Sequence, residues 1–99
     1  MTTNWSETNR VPVVLHRREG DDMPLLEKTK YMVPRDMMFM HFMCVLRRRL
    51  TLPPHKALFL FTGRHRLVPA SSSISEVHHA DKGEDGVLHI TYASENVFG

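Results

Sequence analysis

Three groups of side chains in this sequence are of types that chemistry uses. Cys44 follows His41 by three residues, the minimal spacing at which an imidazole on a helix could deprotonate a thiol. A thiol nucleophile also needs a group that orients the imidazole and N–H donors for an oxyanion, and no segment supplies them. Cys44 lies inside an apolar run, so a buried structural cysteine is expected. His78 and His79 stand near Asp81, Glu84 and Asp85, but without a recognised ligand spacing they read as a solvated polar loop rather than a metal site. Arg47, Arg48 and Arg49 are consecutive cations that could meet a phosphate or a lipid headgroup. At the end of a helix they are expected to be a solvated terminus that complements the negative end of the dipole. No catalytic residue, metal site or cofactor site is expected in the chain.

The stretch on which other elements depend is residues 30–50. Tyr31 and Val33 are strand formers two residues apart, and Pro34 cannot donate to a sheet ladder. Asp36 is placed to accept from the N–H groups of a first helical turn. Phe39, Phe42, Met43, Leu46 and Leu50 then recur at helical spacing, predicting a helix from residue 36 to about residue 50 that carries the core. The apolar part is about 10 residues long, and a membrane span needs roughly 20. Met38, Met40 and Met43 exceed what one buried face requires, and are expected to pack beneath the N-terminal segment.

Around this stretch the chain reads as a succession of short elements. Residues 1–9 are polar apart from Trp5 and predict a short arm. Residues 10–15 form a first strand, expected at a sheet edge because it contains Pro12. Residues 16–27, with Gly20, Asp21, Asp22 and Pro24, are a connection. A second strand over residues 28–33 completes an antiparallel hairpin. Residues 57–61, Ala-Leu-Phe-Leu-Phe, predict a central strand buried on both faces, and residues 64–69 a short edge strand protected by charge and proline. Ser73 and Glu76 have capping-box spacing for a short helix. Asp85-Gly86 marks a turn, and residues 87–92 alternate as a last strand. This order predicts an α+β, ubiquitin-like β-grasp. A mixed four-stranded sheet packs on one main helix, and the last strand lies parallel to the first in its middle. The expected boundaries are an arm over 1–9, a domain over 10–93 and a flexible tail over 94–99.

A chain of 99 residues holds one domain burying roughly 60 to 65% of the unfolded surface. Thirteen Lys and Arg against eleven Asp and Glu leave a formal charge of +2, which does not predict nucleic-acid binding. One cysteine cannot form an internal disulfide. The first residues lack a basic segment followed by an apolar one, and a cytoplasmic protein is expected.

Four segments carry a likeness to a known family. These are Arg10-Val11-Pro12-Val13; Lys30-Tyr31-Met32-Val33-Pro34-Arg35-Asp36, against the family's Lys-Tyr-Leu-Val-Pro-x-Asp; Arg47-Arg48-Arg49-Leu50 through Ala57-Leu58-Phe59; and Tyr92 through Asn96-Val97-Phe98-Gly99. In family order and at family-like spacing, they cover residues 10–99. The chain resembles the autophagy ubiquitin-like modifiers, the group of autophagy-related protein 8, the microtubule-associated light chains and the GABA-receptor-associated proteins.

That resemblance implies a protein tag joined through the carboxylate of Gly99 to the amine of phosphatidylethanolamine on autophagosome membranes. Glycine suits the role because, without a side chain, its carboxylate can thread into narrow sites where it is adenylated and handed to cysteine thiols. Implied partners are activating and conjugating enzymes, a processing and deconjugating cysteine protease, and adaptors carrying short aromatic-x-x-leucine motifs. By family match, Tyr31, Val33, Pro34, Met37, Phe42 and Val45 would line one apolar pocket. Pro12, Val14, Lys30, Met32 and Val87 would line the other, while Arg10, Lys28, Lys30 and Arg49 would attract acidic residues preceding the motif. Taken without the family, Met37, Phe42 and Val45 read simply as core.

The sequence departs from the family where a pair of helices normally precedes the Arg-Val-Pro strand and only residues 1–9 stand here. In the family the second of those helices helps wall the aromatic-accepting pocket, so a shallower or open pocket is expected here. Val87 also replaces a phenylalanine that gates that pocket in many members. Two alternatives remain: a related autophagy tag joined to a protein lysine, and an unconjugated ubiquitin-like peptide-binding module.

Overall fold

A computed structural model describes residues 9–63 and 66–95. The elements run β1 (Arg10–Arg17), β2 (Lys30–Pro34), α1 (Phe39–Arg49), β3 (Phe59–Thr62), α2 (Ile74–Asp81) and β4 (Leu88–Ala93). The strand order in the sheet is β2-β1-β4-β3. β1 pairs antiparallel with β2 and parallel with β4, and β3 pairs antiparallel with β4. This is the mixed sheet with a parallel central pair expected of a ubiquitin-like β-grasp.

β1 is thus a central strand, not the edge strand that Pro12 predicts. The Leu15 N–H donates to Thr29 O on the β2 side at 2.8 Å, so by alternation the ring nitrogen of Pro12 faces β4. The β4 ladder starts only at the Val13–Leu88 pair. Pro12 therefore sits one residue before its missing donor would be needed.

β3 shows the opposite displacement. Its apolar run predicts a central strand, yet it forms the far edge of the sheet. Leu60 and Phe61 point to opposite faces and are both buried, so the run is apolar because both faces are covered. The edge itself is shielded by backbone bonds from Thr62 N–H to Arg66 O at 3.0 Å and from Val68 N–H to Leu60 O at 3.2 Å. The segment expected as an edge strand over residues 64–69 contributes only an isolated bridge, Phe61–Leu67, with Arg64 and His65 outside the described residues.

The main helix begins three residues later than predicted, and Asp36 does not cap it. Met38 occupies the N-cap without a side-chain bond. The N–H groups of Phe39 and Met40 instead donate to Ser72 O and Ala70 O at 2.8 and 3.0 Å, so backbone from the loop before α2 satisfies orphan donors at the helix start. Phe39, Phe42 and Leu46 form the buried stripe, and Leu50 follows at the C-cap. Cys44 stands two residues, roughly 200°, round the helix from Phe42, and is exposed rather than buried. Met38 and Met40 also face outward, and only Met43 packs against the core.

Ser73 and Glu76 form the predicted capping box. Ser73 Oγ accepts from Glu76 N–H at 3.2 Å, and the Ser73 N–H donates to Glu76 Oε1 at 3.4 Å. The helix runs through Asp81, so His78 and Asp81 are helical and buried, not parts of a solvated loop. His78 Nε2 lies 2.8 Å from Gly86 O, and Asp81 accepts from Arg66 through Nε at 3.0 Å and through Nη2.

Two polar side chains tie the connection after β1 to β4. Asp21, whose side chain is 1% exposed, accepts from Met23 N–H at 2.9 Å, Ser94 N–H at 2.9 Å and Ser94 Oγ at 3.2 Å. The Tyr92 hydroxyl donates to Pro24 O at 3.0 Å and accepts from Leu26 N–H at 3.3 Å. Tyr92→Phe is expected to cost about 1–2 kcal/mol at pH 7 by removing that hydroxyl. Burial raises the phenol pKa above 10.0. Above that pH the unfolded chain loses the proton first, so wild-type stability falls as pH rises, whereas the Phe variant escapes this loss. The stability gap between the two proteins, measured by urea unfolding, should narrow between pH 9 and 11, roughly either side of the ordinary phenol value; a constant gap would mean that the phenol is not desolvated.

Candidate functional site

β2 pairs with β1 on one side, and no other strand borders it among the described residues. Its register sets Val33 beside Val11 and Tyr31 beside Val13, while Met32 lies beside Pro12 and Lys30 beside Val14. Because successive side chains alternate, Tyr31 and Val33 face the layer that contains α1. Lys30 and Met32 face the opposite side, where both are exposed.

Each face of this edge carries a hollow. On the helix side a cavity of about 140 Å³ lies between β2 and α1. It is lined by Tyr31, Val33 and Pro34 from the strand and by Met37, Phe42 and Val45, with Met32 at its margin. Phe42 is 3% exposed, so it belongs to the core and shows only an edge to the hollow. On the other face a larger, open groove of about 710 Å³ runs over Pro12, Val14, Met32 and Val87. Arg10, Lys28 and Lys30 rim it. Tyr31 and Met32 border both hollows.

The structure therefore brings together all the residues named for each pocket, and three of the four cations. Arg49 is the exception: it stands by a separate recess shared with Lys28 and Tyr31. Gly99 lies outside the described residues. His89 and Asp85 also line the larger groove and were not foreseen. Strand alternation carried the signal for His89, since it is two residues from Val87 and must share its face.

Local bonds hold the edge in shape. The Tyr31 hydroxyl donates to Lys28 O at 2.8 Å, Lys28 Nζ stands 5.1 Å from the centre of the Tyr31 ring, and Arg10 Nη1 donates to Met32 O at 3.1 Å. Asp85 supplies negative charge at the groove. The bond from His89, then that from the Val87 N–H, holds its carboxyl below the usual carboxylate range. An exposed strand edge with apolar hollows on both faces and cations at its rim has the chemistry to receive an extended, acidic and amphipathic peptide.

The sheet order and the helix across it define a ubiquitin-like protein. A family model described as autophagy protein Atg8, ubiquitin like, matches residues 3–99. Among curated relatives, autophagy-related protein 8 of Candida glabrata is 43% identical over 91 residues, which are 92% of this chain and 76% of that one. Autophagy-related protein 8B of Oryza sativa subsp. indica is 39% identical over 92 residues, 93% and 76% of the two chains. The crystal structure of Trypanosoma brucei ATG8 superposes with a TM-score of 0.82 at 31% identity, over 95% of this chain and 80% of that one. This chain belongs to the Atg8 family of ubiquitin-like autophagy proteins.

Proposed function

We propose that the chain is a non-enzymatic modifier that is conjugated through Gly99 to phosphatidylethanolamine and recruits adaptors through the free edge of β2. Activating and conjugating enzymes act on it in trans, and a cysteine protease processes and releases it. It works in the cytoplasm, and on the autophagosome membrane once lipidated.

The observation that carries the adaptor reading is the position of the two hollows on opposite faces of one edge strand. A peptide that adds itself beside β2 presents side chains to alternate faces, so residues an odd number apart reach opposite sides. An aromatic and a leucine three residues later are about 10 Å apart along an extended chain, on opposite faces, which suits one hollow each. The larger groove takes the aromatic and the smaller cavity the leucine, while Arg10, Lys28 and Lys30 attract preceding acidic residues. Burying about 200 Å² of aromatic surface contributes roughly 5 kcal/mol gross, and the entropy of association offsets a similar amount. Strand pairing and charge then set an expected Kd near ~1 μM.

Titration with an acidic aromatic-x-x-leucine peptide is expected to saturate in that range, with Tyr31→Ala and Lys30→Glu each weakening it about tenfold or more. No saturable binding up to ~1 mM would remove the adaptor reading. Conjugation is tested by reconstitution with the two enzymes, ATP and phosphatidylethanolamine liposomes, read by intact mass. The expected product is heavier by one lipid and absent for Gly99→Ala. Transfer only to a protein lysine would instead identify the protein-joined tag, and a chain that never charges the enzymes would be a binding module alone.

A further inference from the structure

On the sheet face away from α1, His89 of β4 lines the larger groove, and His16 of the adjacent strand β1 stands beside it, outside the groove. His89 Nε2 lies 2.9 Å from Asp85 Oδ2, and its other nitrogen, Nδ1, lies 2.9 Å from His16 Nε2. Asp85 Oδ1 accepts from the Val87 N–H at 3.0 Å. Resting on the reading of the β2 edge as a peptide-receiving surface, we propose that Asp85, His89 and His16 form a proton relay that links binding of an acidic peptide to uptake of one proton.

The hydrogen bonds assign the protons. An ionised carboxylate only accepts, so His89 carries its hydrogen on Nε2 and donates it to Asp85. In the neutral ring Nδ1 is then an acceptor, and His16 Nε2 supplies the hydrogen between the two rings. That leaves His16 Nδ1 without a hydrogen, on an exposed ring that water reaches. A proton taken from solvent there makes His16 an imidazolium without breaking a bond. Passing the shared hydrogen from His16 Nε2 to His89 Nδ1 restores a neutral His16 and puts the positive charge on His89, against Asp85. A proton gained outside the groove thus offsets the one acidic side chain that lines it among the described residues. The other charged groups there are cations: Arg10 of β1, Lys30 of β2 and Lys28 just before it. The Tyr31 hydroxyl is engaged by Lys28 O, and His78 of α2 by Gly86 O at 2.8 Å. With Asp85 offset, the carboxylates of a peptide meet net positive charge. Burial, then the neighbouring His89, lowers the His16 pKa from 6.5, so His16 is neutral at about pH 7.5. Acid, or an anionic peptide in the groove, draws the proton in.

The test is a titration of the full chain with the acidic aromatic-x-x-leucine peptide at about pH 7.5 and about pH 5.5, either side of the ordinary imidazole value and above that of the peptide's carboxylates. Wild-type affinity is expected to rise about three- to tenfold at the lower pH. In His16→Gln the amide still donates to His89 but takes up no proton, so the variant should keep its affinity at the higher pH and lose most of the gain. His89→Gln should lose the gain as well, with amide spectra showing both folds retained. A peptide with serine in place of its acidic residues should show no gain. Equal wild-type affinities at the two pH values would overturn the relay and leave the adaptor reading standing. So would a gain that persists in both variants or with the serine peptide. No saturable binding at either pH would remove the adaptor reading, and the proton linkage with it.

Discussion

Phe39→Ala should lower the unfolding free energy by about 3–5 kcal/mol. Phe39 is 0% exposed at the first turn of α1, and its ring lies 5.8 Å from that of Phe42, tilted by 50°. Neighbouring backbone cannot easily collapse into the space the ring leaves. The Phe39 N–H is fixed to Ser72 O, and Ile74 N–H to Met37 O, both at 2.8 Å, so the loop before α2 and the start of α1 are held apart at a set distance. A cavity therefore adds to the lost transfer energy. For a domain whose whole stability is about 5–15 kcal/mol, the variant would be near the limit of folding at 37 °C. Urea unfolding measures the effect, with Met40→Ala, 60% exposed on the same helix, expected to change stability by less than about 1 kcal/mol. A loss below about 1 kcal/mol for Phe39→Ala would mean that the core refills the space.

Asp21→Ala is expected to cost about 2–4 kcal/mol, a large effect for a residue in a surface connection. Its carboxylate accepts from two backbone N–H groups and a hydroxyl, and Arg18 Nη1 stands 3.9 Å away. Hydrogen bonds to a charged group contribute about 1.5–3 kcal/mol each, and a buried donor left without a partner keeps its desolvation cost. Met23 is itself 1% exposed, so water cannot readily replace the lost acceptor there. Hydrogen exchange separates this local role from general destabilisation: the amides of Met23 and Ser94 should lose protection more than those in the middle of β1. Unchanged protection at Ser94 would show that something other than Asp21 holds the chain where it leaves β4.

Features written in local periodicity were legible in the sequence. The spacing of Phe39, Phe42 and Leu46 marks a helix face, Ser73 and Glu76 mark a helix start, and the alternation over residues 87–92 marks a strand, displaced by one residue from β4. What local pattern cannot state is which element lies beside which. Pro12 reads as an edge residue because the late start of the β4 ladder is a fact of register, and β3 reads as central because burial on both faces looks the same at an edge once loops cover it. The start of α1 is satisfied by carbonyls some 30 residues further along the chain, so Asp36 offered a cap that the fold does not use. Asp21 looked like any loop acid, since its partner Ser94 is 73 residues away. For the candidate site, helical spacing alone gave Met37, Phe42 and Val45 as core, which is true of Phe42. Family likeness is what drew them together with Tyr31 and Pro34. His16 and His89 belong to different strands, and only the parallel pairing of β1 and β4 brings their rings within hydrogen-bond distance, 2.9 Å.

That same pairing decides how the molecule answers a pull. β1 begins the sheet and β4 ends it, and they lie side by side and parallel, so the start of one and the finish of the other sit at opposite ends of a shared ladder. Tension applied between the start of β1 and the end of β4 runs along the strands and loads the five registered pairs from Val13–Leu88 to Arg17–Tyr92 together, rather than peeling them open one after another. The rate of forced unfolding is set by the barrier to that concerted rupture. A body held by its last strand and tugged through its first thus resists as a sheared joint does, with its strongest direction lying along the line that joins its two ends.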